Sequence, residues 1–168
     1  FPANLLVTDD ALGPEDSRYF SVTKWAAEHG YSDDWAAAAE AGVLQESKPA
    51  VSEKEVGLLG RIPCRKCGGM DALTHVDEKT GREGLCRRNG HATVKPITLF
   101  CYFIEFLTKS DAIVLDPFVG SGTVVCAALQ CDRRGIGMER DAEGDGFVEL
   151  AQARCWHWSV AGLPGADL

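Results

Sequence analysis

A chain of 168 residues with 45% hydrophobic content is long enough for one real core and a small appended module. No run approaches the roughly 20 apolar residues of a membrane span, and no charged-then-apolar leader resembles a signal peptide, so a cytoplasmic setting is expected. The net charge of −8 excludes a uniformly basic nucleic-acid binder, but the charge is uneven. Residues 1–60 carry 4 basic and 11 acidic groups and residues 96–168 carry 5 and 10, whereas residues 61–95 carry 8 and 4. Any phosphate contacts are expected in the middle segment, which reads equally well from these counts as a solvated charged surface.

In chain order, Phe20 to His29 and Asp34 to Ala41 read as short helices, the second opening at an Asp cap before Trp35 and closing at Gly42. Trp25, Tyr31 and Trp35 suit a small aromatic core more readily than contacts to bases. Ser47 to Glu55, with a Pro and mixed charges, reads as a connector.

Seven cysteines make an odd count: Cys64, Cys67 and Cys86 cluster, and the rest are scattered in apolar segments, as suits a reducing compartment. Cys64-Arg65-Lys66-Cys67-Gly68-Gly69 is a zinc-knuckle pattern, because the tight turn lets both thiolates face one tetrahedral ion. A polar, hairpin-like insert with Gly81 and Gly84 then leads to Cys86 as a third thiolate. The fourth ligand is taken as His91, five positions after Cys86, although it also opens the next segment, with His75 as the alternative. The domain boundaries read from these shifts are a connecting region over 1–60, a zinc-binding module over 61–90, a cofactor-binding part over 91–160 and a tail over 161–168.

From Pro96, suited to a first helical turn, Ile97, Phe100, Cys101, Ile104 and Leu107 recur at helical spacing, and this helix is expected to cover one face of a sheet. Ala112 to Leu115 is short, apolar and partly β-branched, which predicts a strand buried on both faces. Asp116, Pro117 and Phe118 lead into Gly120-Ser121-Gly122-Thr123, a glycine-rich turn whose Ser121 and Thr123 can cap the helix that follows. Arg134 to Met138 predicts a second strand, and Glu139 closes it 19 residues beyond Gly120, near the roughly 20 expected for an acid that takes ribose hydroxyls. A last helix begins near Phe147, with Trp156 and Trp158 placed to pack it down.

Strand, glycine-rich turn and helix N-terminus make a nucleotide site in open α/β sheets. Two features argue against a dinucleotide. The third glycine of G-x-G-x-x-G would fall at Val125, and Asp116 places a carboxylate where a diphosphate would sit. A ligand with an ammonium, a sulfonium and a ribose diol but no phosphate suits that turn, and S-adenosylmethionine has all three.

Asp116-Pro117-Phe118-Val119-Gly120-Ser121-Gly122-Thr123, preceded by His91-Ala92-Thr93-Val94-Lys95-Pro96 and followed by Gly135-Ile136-Gly137-Met138-Glu139, resembles a known family. It is similar to the S-adenosylmethionine-dependent DNA methyltransferases that modify adenine N6 or cytosine N4, in the permuted motif order of many bacterial and phage enzymes. The resemblance is strongest from His91 to Arg154, and Phe1 to Leu5 resembles a stretch leading into the family's target-recognition region. It implies a Rossmann-like α/β fold with a partial sheet and a zinc-knuckle insertion. It also implies that His91, Thr93, Lys95, Pro96, Asp116 to Phe118, Gly120 to Thr123 and Glu139 bind the cofactor, with Lys95 facing its carboxylate.

One departure bears on catalysis. The family's catalytic tetrapeptide is Asp, Asn or Ser, then Pro-Pro, then an aromatic, and this sequence contains no Pro-Pro. The expected reading is a C-terminal portion of a methyltransferase acting on double-stranded DNA. No catalytic residue lies in this chain, and the catalytic half is missing or comes from another chain or a homodimer partner. Cytosine C5 chemistry would need a cysteine nucleophile after a proline, and Pro63-Cys64 is accounted for by the knuckle. Two other classes stay open: a cofactor- or zinc-binding accessory subunit, and a methyltransferase for RNA or small molecules.

Overall fold

In this computed structural model the residues described are 22–41, 48–140 and 145–160. The expectations for Phe1 to Leu5 and for the tail 161–168 lie outside them.

Helices α1 (Val22–Glu28) and α2 (Asp33–Glu40) form a helical pair. The α2 cap is Ser32, not Asp34: the Ser32 hydroxyl accepts the Trp35 amide at 3.2 Å, leaving Asp33 and Asp34 in the first turn, where their charge favours the positive helix end. Trp25, Tyr31 and Trp35 pack on one another, with ring centroids 4.3 to 6.0 Å apart, and Trp25 stands edge-on to Tyr102 at 5.0 Å. The Trp25 indole donates to the Glu105 carboxylate at 2.7 Å. These aromatics are packing residues.

The expected connector contains a five-residue helix, α3 (Val51–Glu55). So short a helix is not held by its own propensity. It is held by what its side chains bind: Glu53 accepts the Ile97 amide at 2.8 Å, and Glu55 accepts those of Arg88 and Asn89 at 2.9 and 3.2 Å. The insert between Cys67 and Cys86 is an antiparallel hairpin, β1 (Thr74–Val76) with β2 (Glu83–Leu85), in which His75 lies opposite Gly84. Its turn is shaped by Asp77, whose carboxylate accepts the amides of Lys79 and Thr80.

Helix α4 (Ile97–Leu107) starts at Pro96 as its spacing predicts. Strand β3 (Ile113–Asp116), helix α5 (Thr123–Gln130) and parallel strand β4 (Arg134–Gly137) make one β-α-β unit, and α6 (Phe147–Val160) packs on α5. Ile97, Cys101 and Ile104 of α4 meet Cys126, Ala127 and Ala128 of α5 in the main core, with Val114, Cys155 and Trp158 against it. Trp158 thus pins α6 as expected, whereas Trp156 is exposed, with Arg61 over its ring at 5.8 Å. Helix α5 lies close on the sheet because β4 has glycines facing it: a Cβ on Gly135 would fall 2.7 Å from Val125.

The strand expected to be buried on both faces is covered on one. Ile113 and Leu115 of β3 and Ile136 of β4 are 55, 54 and 48% exposed. Two strands with their helices on one side leave the other face bare among the described residues.

Candidate cofactor site and cysteine cluster

The glycine-rich turn after β3 is tied down at three points. The Asp116 carbonyl accepts the Met138 amide at 2.8 Å, and the Val119 amide donates to the Met138 carbonyl at 2.9 Å. The Gly120 amide donates to the Glu139 carboxylate at 2.7 Å, so the acid closing β4 holds the turn that follows β3. Asp116 turns back on its own loop, accepting the Phe118 amide at 3.0 Å.

Gly120 and Gly122 both have positive φ, +48° and +80°, a conformation that side-chain-bearing residues adopt at a cost. Their neighbours differ. A Cβ on Gly120 would lie 2.6 Å from Nε2 of His91, so the missing side chain is where the His91 ring sits. A Cβ on Gly122 would lie 3.1 Å from Cα of Ala151, so this glycine serves the approach of α6. Gly122 is itself the N-cap of α5, with no side-chain cap bond, which corrects the expectation that Ser121 or Thr123 caps it. Their hydroxyls lie 3.2 Å apart and face inward.

His91, Thr93 and Lys95 from one segment and Asp116, Phe118, Gly120, Ser121 and Thr123 from the other line one cavity of about 290 Å³, together with Phe100, Val119 and Val124. Pro96 caps α4, and neither Pro96, Pro117, Gly122 nor Glu139 lines this cavity. The lining offers a carboxylate, an ammonium and apolar surface from two aromatic rings, a donor set that fits a ligand bearing its own ammonium, carboxylate and flat ring.

Three residues that sequence reasoning passed over hold this site. Arg154 is fully buried, and its guanidinium donates to the Ser121 carbonyl at 2.6 Å and the Thr123 hydroxyl at 3.3 Å. A lone Arg among Leu150, Ala151 and Ala153 on the inner face of α6 was the available signal. Asn89 accepts the His91 amide at 3.0 Å and donates to the Lys54 carbonyl at 2.8 Å. Glu55 anchors the same loop from α3.

The cysteine cluster is separate. Sulfur and nitrogen atoms of Cys64, His75 and Cys86 all lie within 4.8 Å of one another. Cys67 Sγ lies 3.7 Å from Cys86 Sγ, and His75 Nδ1 3.9 Å from it. Of the two candidate fourth ligands the hairpin brings His75; His91 sits against Gly120 and Phe147 instead. The Cys67 amide above all, with those of Lys66 and Arg87, draws the Cys64 thiol down to about 6, while burial first and then the neighbouring sulfurs push Cys86 up to about 12. Two buried sulfurs that cannot both ionise alone are stabilised together by a cation.

A larger cleft of about 690 Å³ opens between the knuckle and the start of α6, with Arg61, Arg65 and Arg88 on its walls beside Asp145 and Glu149. It shares no lining residue with the cavity at the glycine-rich turn.

A parallel β-α-β unit with a glycine-rich turn, and with the acid after its second strand bonded into that turn, defines a Rossmann-like cofactor-binding protein. The chain belongs to the DNA methylase family of the N6/N4 type, which matches residues 21–150. It is 45% identical over 64 residues to the type II methyltransferase M.HindIII of Haemophilus influenzae, covering 38% of this chain and 20% of that protein. It is 42% identical over 64 residues to the type II methyltransferase M2.MboI of Moraxella bovis, covering 38% and 22%. A solved structure titled "crystal structure of M1.HpyAVI-SAM complex" is 31% identical, covers 51% of this chain and 44% of that one, and has a TM-score of 0.36. The matched stretch thus spans about a fifth of the length of these curated relatives. No helix among the described residues is long and apolar enough to cross a membrane.

Proposed function

We propose that the chain is the cofactor-binding portion of an enzyme that moves a methyl group from S-adenosylmethionine to an exocyclic amino group, adenine N6 or cytosine N4, of double-stranded DNA. The observation that carries this is the 2.7 Å bond from the Gly120 amide to Glu139, which sets a carboxylate beside the turn bordering the cavity. When bound, the cofactor supplies an electrophilic methyl group. The chain's residues hold and orient it. Glu139 keeps acceptor capacity for the ribose diol, Asp116 and Lys95 complement the ligand's ammonium and carboxylate, and Phe100, Phe118, Val119 and Val124 offer apolar surface to its ring.

The group that accepts hydrogen bonds from the target amine and the aromatic that holds the extruded base belong to a Pro-Pro segment, which this sequence lacks. Arg61 and Arg65, exposed on the larger cleft in the basic middle segment, are the proposed phosphate contacts. All seven cysteines are free, which supports the cytoplasmic setting.

The reading includes one zinc ion on Cys64, Cys67, Cys86 and His75. Two sulfurs on a tetrahedral zinc at about 2.3 Å stand about 3.8 Å apart, and a sulfur and an imidazole nitrogen about 3.6 Å. The Cys67–Cys86 separation here is 3.7 Å, far beyond a disulfide bond, and the Cys86–His75 separation is 3.9 Å. Cys67 stands outside the group of Cys64, His75 and Cys86 whose ligand atoms all lie within 4.8 Å of one another, so it must turn in to complete the site.

The test is transfer of labelled methyl to mixed-sequence duplex DNA. The chain alone should bind cofactor without turnover, and adding a Pro-Pro-containing half in trans should restore methylation. Turnover by the isolated chain would overturn the assignment of catalysis to that segment. Cofactor binding with no turnover in either case would favour an accessory subunit.

A further inference from the structure

The cysteine cluster and the cofactor cavity share no residue, yet only four residues lie between Cys86 and His91, and three of them, Arg87, Arg88 and Asn89, are hydrogen-bonded. The Arg87 carbonyl accepts the Arg65 amide of the knuckle at 2.9 Å. The Arg88 guanidinium, 6% exposed, donates to the carbonyls of Met70 and Ala72, binding the base of the hairpin, while the Arg88 and Asn89 amides donate to Glu55. Asn89 then spans α3 and the cofactor segment, donating to the Lys54 carbonyl and accepting the His91 amide. His91 ends this path with its ring in the space Gly120 leaves, its Nδ1 accepting the Thr93 amide at 3.3 Å.

We propose that the metal ion acts on the cofactor cavity: by fixing Cys86 it sets the path of residues 86–91, and Asn89 is the positioning residue that delivers His91 to the Gly120 turn. This rests on the zinc reading above. A hairpin of two three-residue strands has too little buried surface to hold this path by itself, since its apolar residues Val76 and Leu85 are 64 and 59% exposed. With the ion removed, Cys86 is no longer tied to Cys64, Cys67 and His75, and the stretch to His91 loses its anchor at the Cys86 end. Metal and cofactor binding are then linked, each raising the affinity for the other by the same factor.

Three of the four histidines make this readable by NMR: His75 reports the metal, His91 the cavity, and His157 on α6 the rest of the fold. Zinc titrated into chelator-stripped protein should move the His75 and His91 ring resonances with one midpoint at one equivalent. Asn89→Ala should still take up one zinc and move His75, but its His91 resonance should stay at the metal-free position. Asn89→Asp, which keeps the acceptor for the His91 amide, should restore the response. Calorimetry on loaded and stripped protein should show cofactor affinity falling about fivefold or more on stripping.

A His91 resonance that ignores zinc in the wild type, or that follows zinc equally in Asn89→Ala, overturns the proposal. If stripping also moves His157, the zinc-loaded Asn89→Ala protein decides the matter, because there the module is intact and only the link is cut. Absence of cofactor binding in every state would defeat the cofactor reading while leaving the resonance test to judge the coupling, and absence of zinc uptake would defeat both the zinc reading and the coupling.

Discussion

Glu139 is the residue on which the cofactor assignment can be weighed most directly, because its carboxylate has two distinguishable tasks. One oxygen accepts the Gly120 amide at 2.7 Å and holds the turn; the other accepts its own neighbour's amide, Arg140, at 3.1 Å and has lone-pair capacity left for a ribose hydroxyl. Glu139→Ala removes both tasks, and a lost hydrogen bond to a charged group costs roughly 1.5 to 3 kcal/mol, or about ten- to a hundredfold in cofactor affinity. Glu139→Gln keeps an acceptor for Gly120 but loses the charge. It exchanges a charged hydrogen bond for a neutral one, a difference of about 1 to 1.5 kcal/mol and roughly five- to tenfold in affinity. Calorimetry with S-adenosylmethionine gives both numbers. Thermal melts without cofactor separate the tasks, since the Ala variant should lose stability by about 1 kcal/mol and the Gln variant by much less. Cofactor affinity within twofold of wild type for Glu139→Ala would refute the ribose assignment and leave Glu139 as a brace for the turn alone.

Gly120→Ala should expel the His91 ring, whose Nε2 lies 2.6 Å from the added carbon, so that cofactor affinity falls at least tenfold while zinc content is unchanged; joint retention of affinity and of the His91 position would count against the cavity as drawn. Cys86→Ser and His75→Ala should each lower bound zinc well below one per chain after dialysis, whereas His91→Ala should keep it; metal analysis showing the reverse for the two histidines would reassign the fourth ligand. Arg154→Leu leaves the Ser121 carbonyl buried without its donor, while the Thr123 hydroxyl keeps the Ser121 hydroxyl at 3.2 Å. At about 1 to 3 kcal/mol for the orphaned carbonyl it should lower the melting temperature by roughly 3 to 10 °C, and a shift under about 1 °C would mean that carbonyl finds another partner.

What could be read from the sequence is what periodicity and turn chemistry encode. The run Ile97 to Leu107 has one face of apolar residues at helical spacing, and it forms α4 with the expected start. Both strands of the parallel pair fall within a residue of their predicted bounds, because each is a short apolar or glycine-interrupted run between unmistakable breakers. Residues whose role depends on partners far along the chain were not readable. Helix α3 has no period, and its reason for existing lies in Ile97, Arg88 and Asn89, more than thirty residues away. Arg154 looked like one more polar residue of a closing helix, since only the fold shows that Ser121 and Thr123 turn their oxygens toward it. His75 and His91 flank Cys86 at 11 and 5 residues, so spacing could not choose between them. The choice is made by hairpin register: His75 sits opposite Gly84, two residues before Cys86, on the strand that returns toward the knuckle.

The bare face of the parallel pair follows the same logic. Ile113, Leu115 and Ile136 are residues selected for a covered surface, and their spacing is that of a strand with protein on both sides. The glycines of β4 show that cover is achieved on one face down to van der Waals contact, with Val119 and Val125 filling the space where Cβ atoms would stand. A sequence that packs one face so closely is not indifferent to the other. Three half-exposed aliphatic side chains on two adjacent strands form one contiguous apolar strip, and at about 25 cal/mol per Å² its burial would be favourable by several kcal/mol. That strip begins at the strand whose end carries Asp116, so whatever covers it also approaches the cofactor turn.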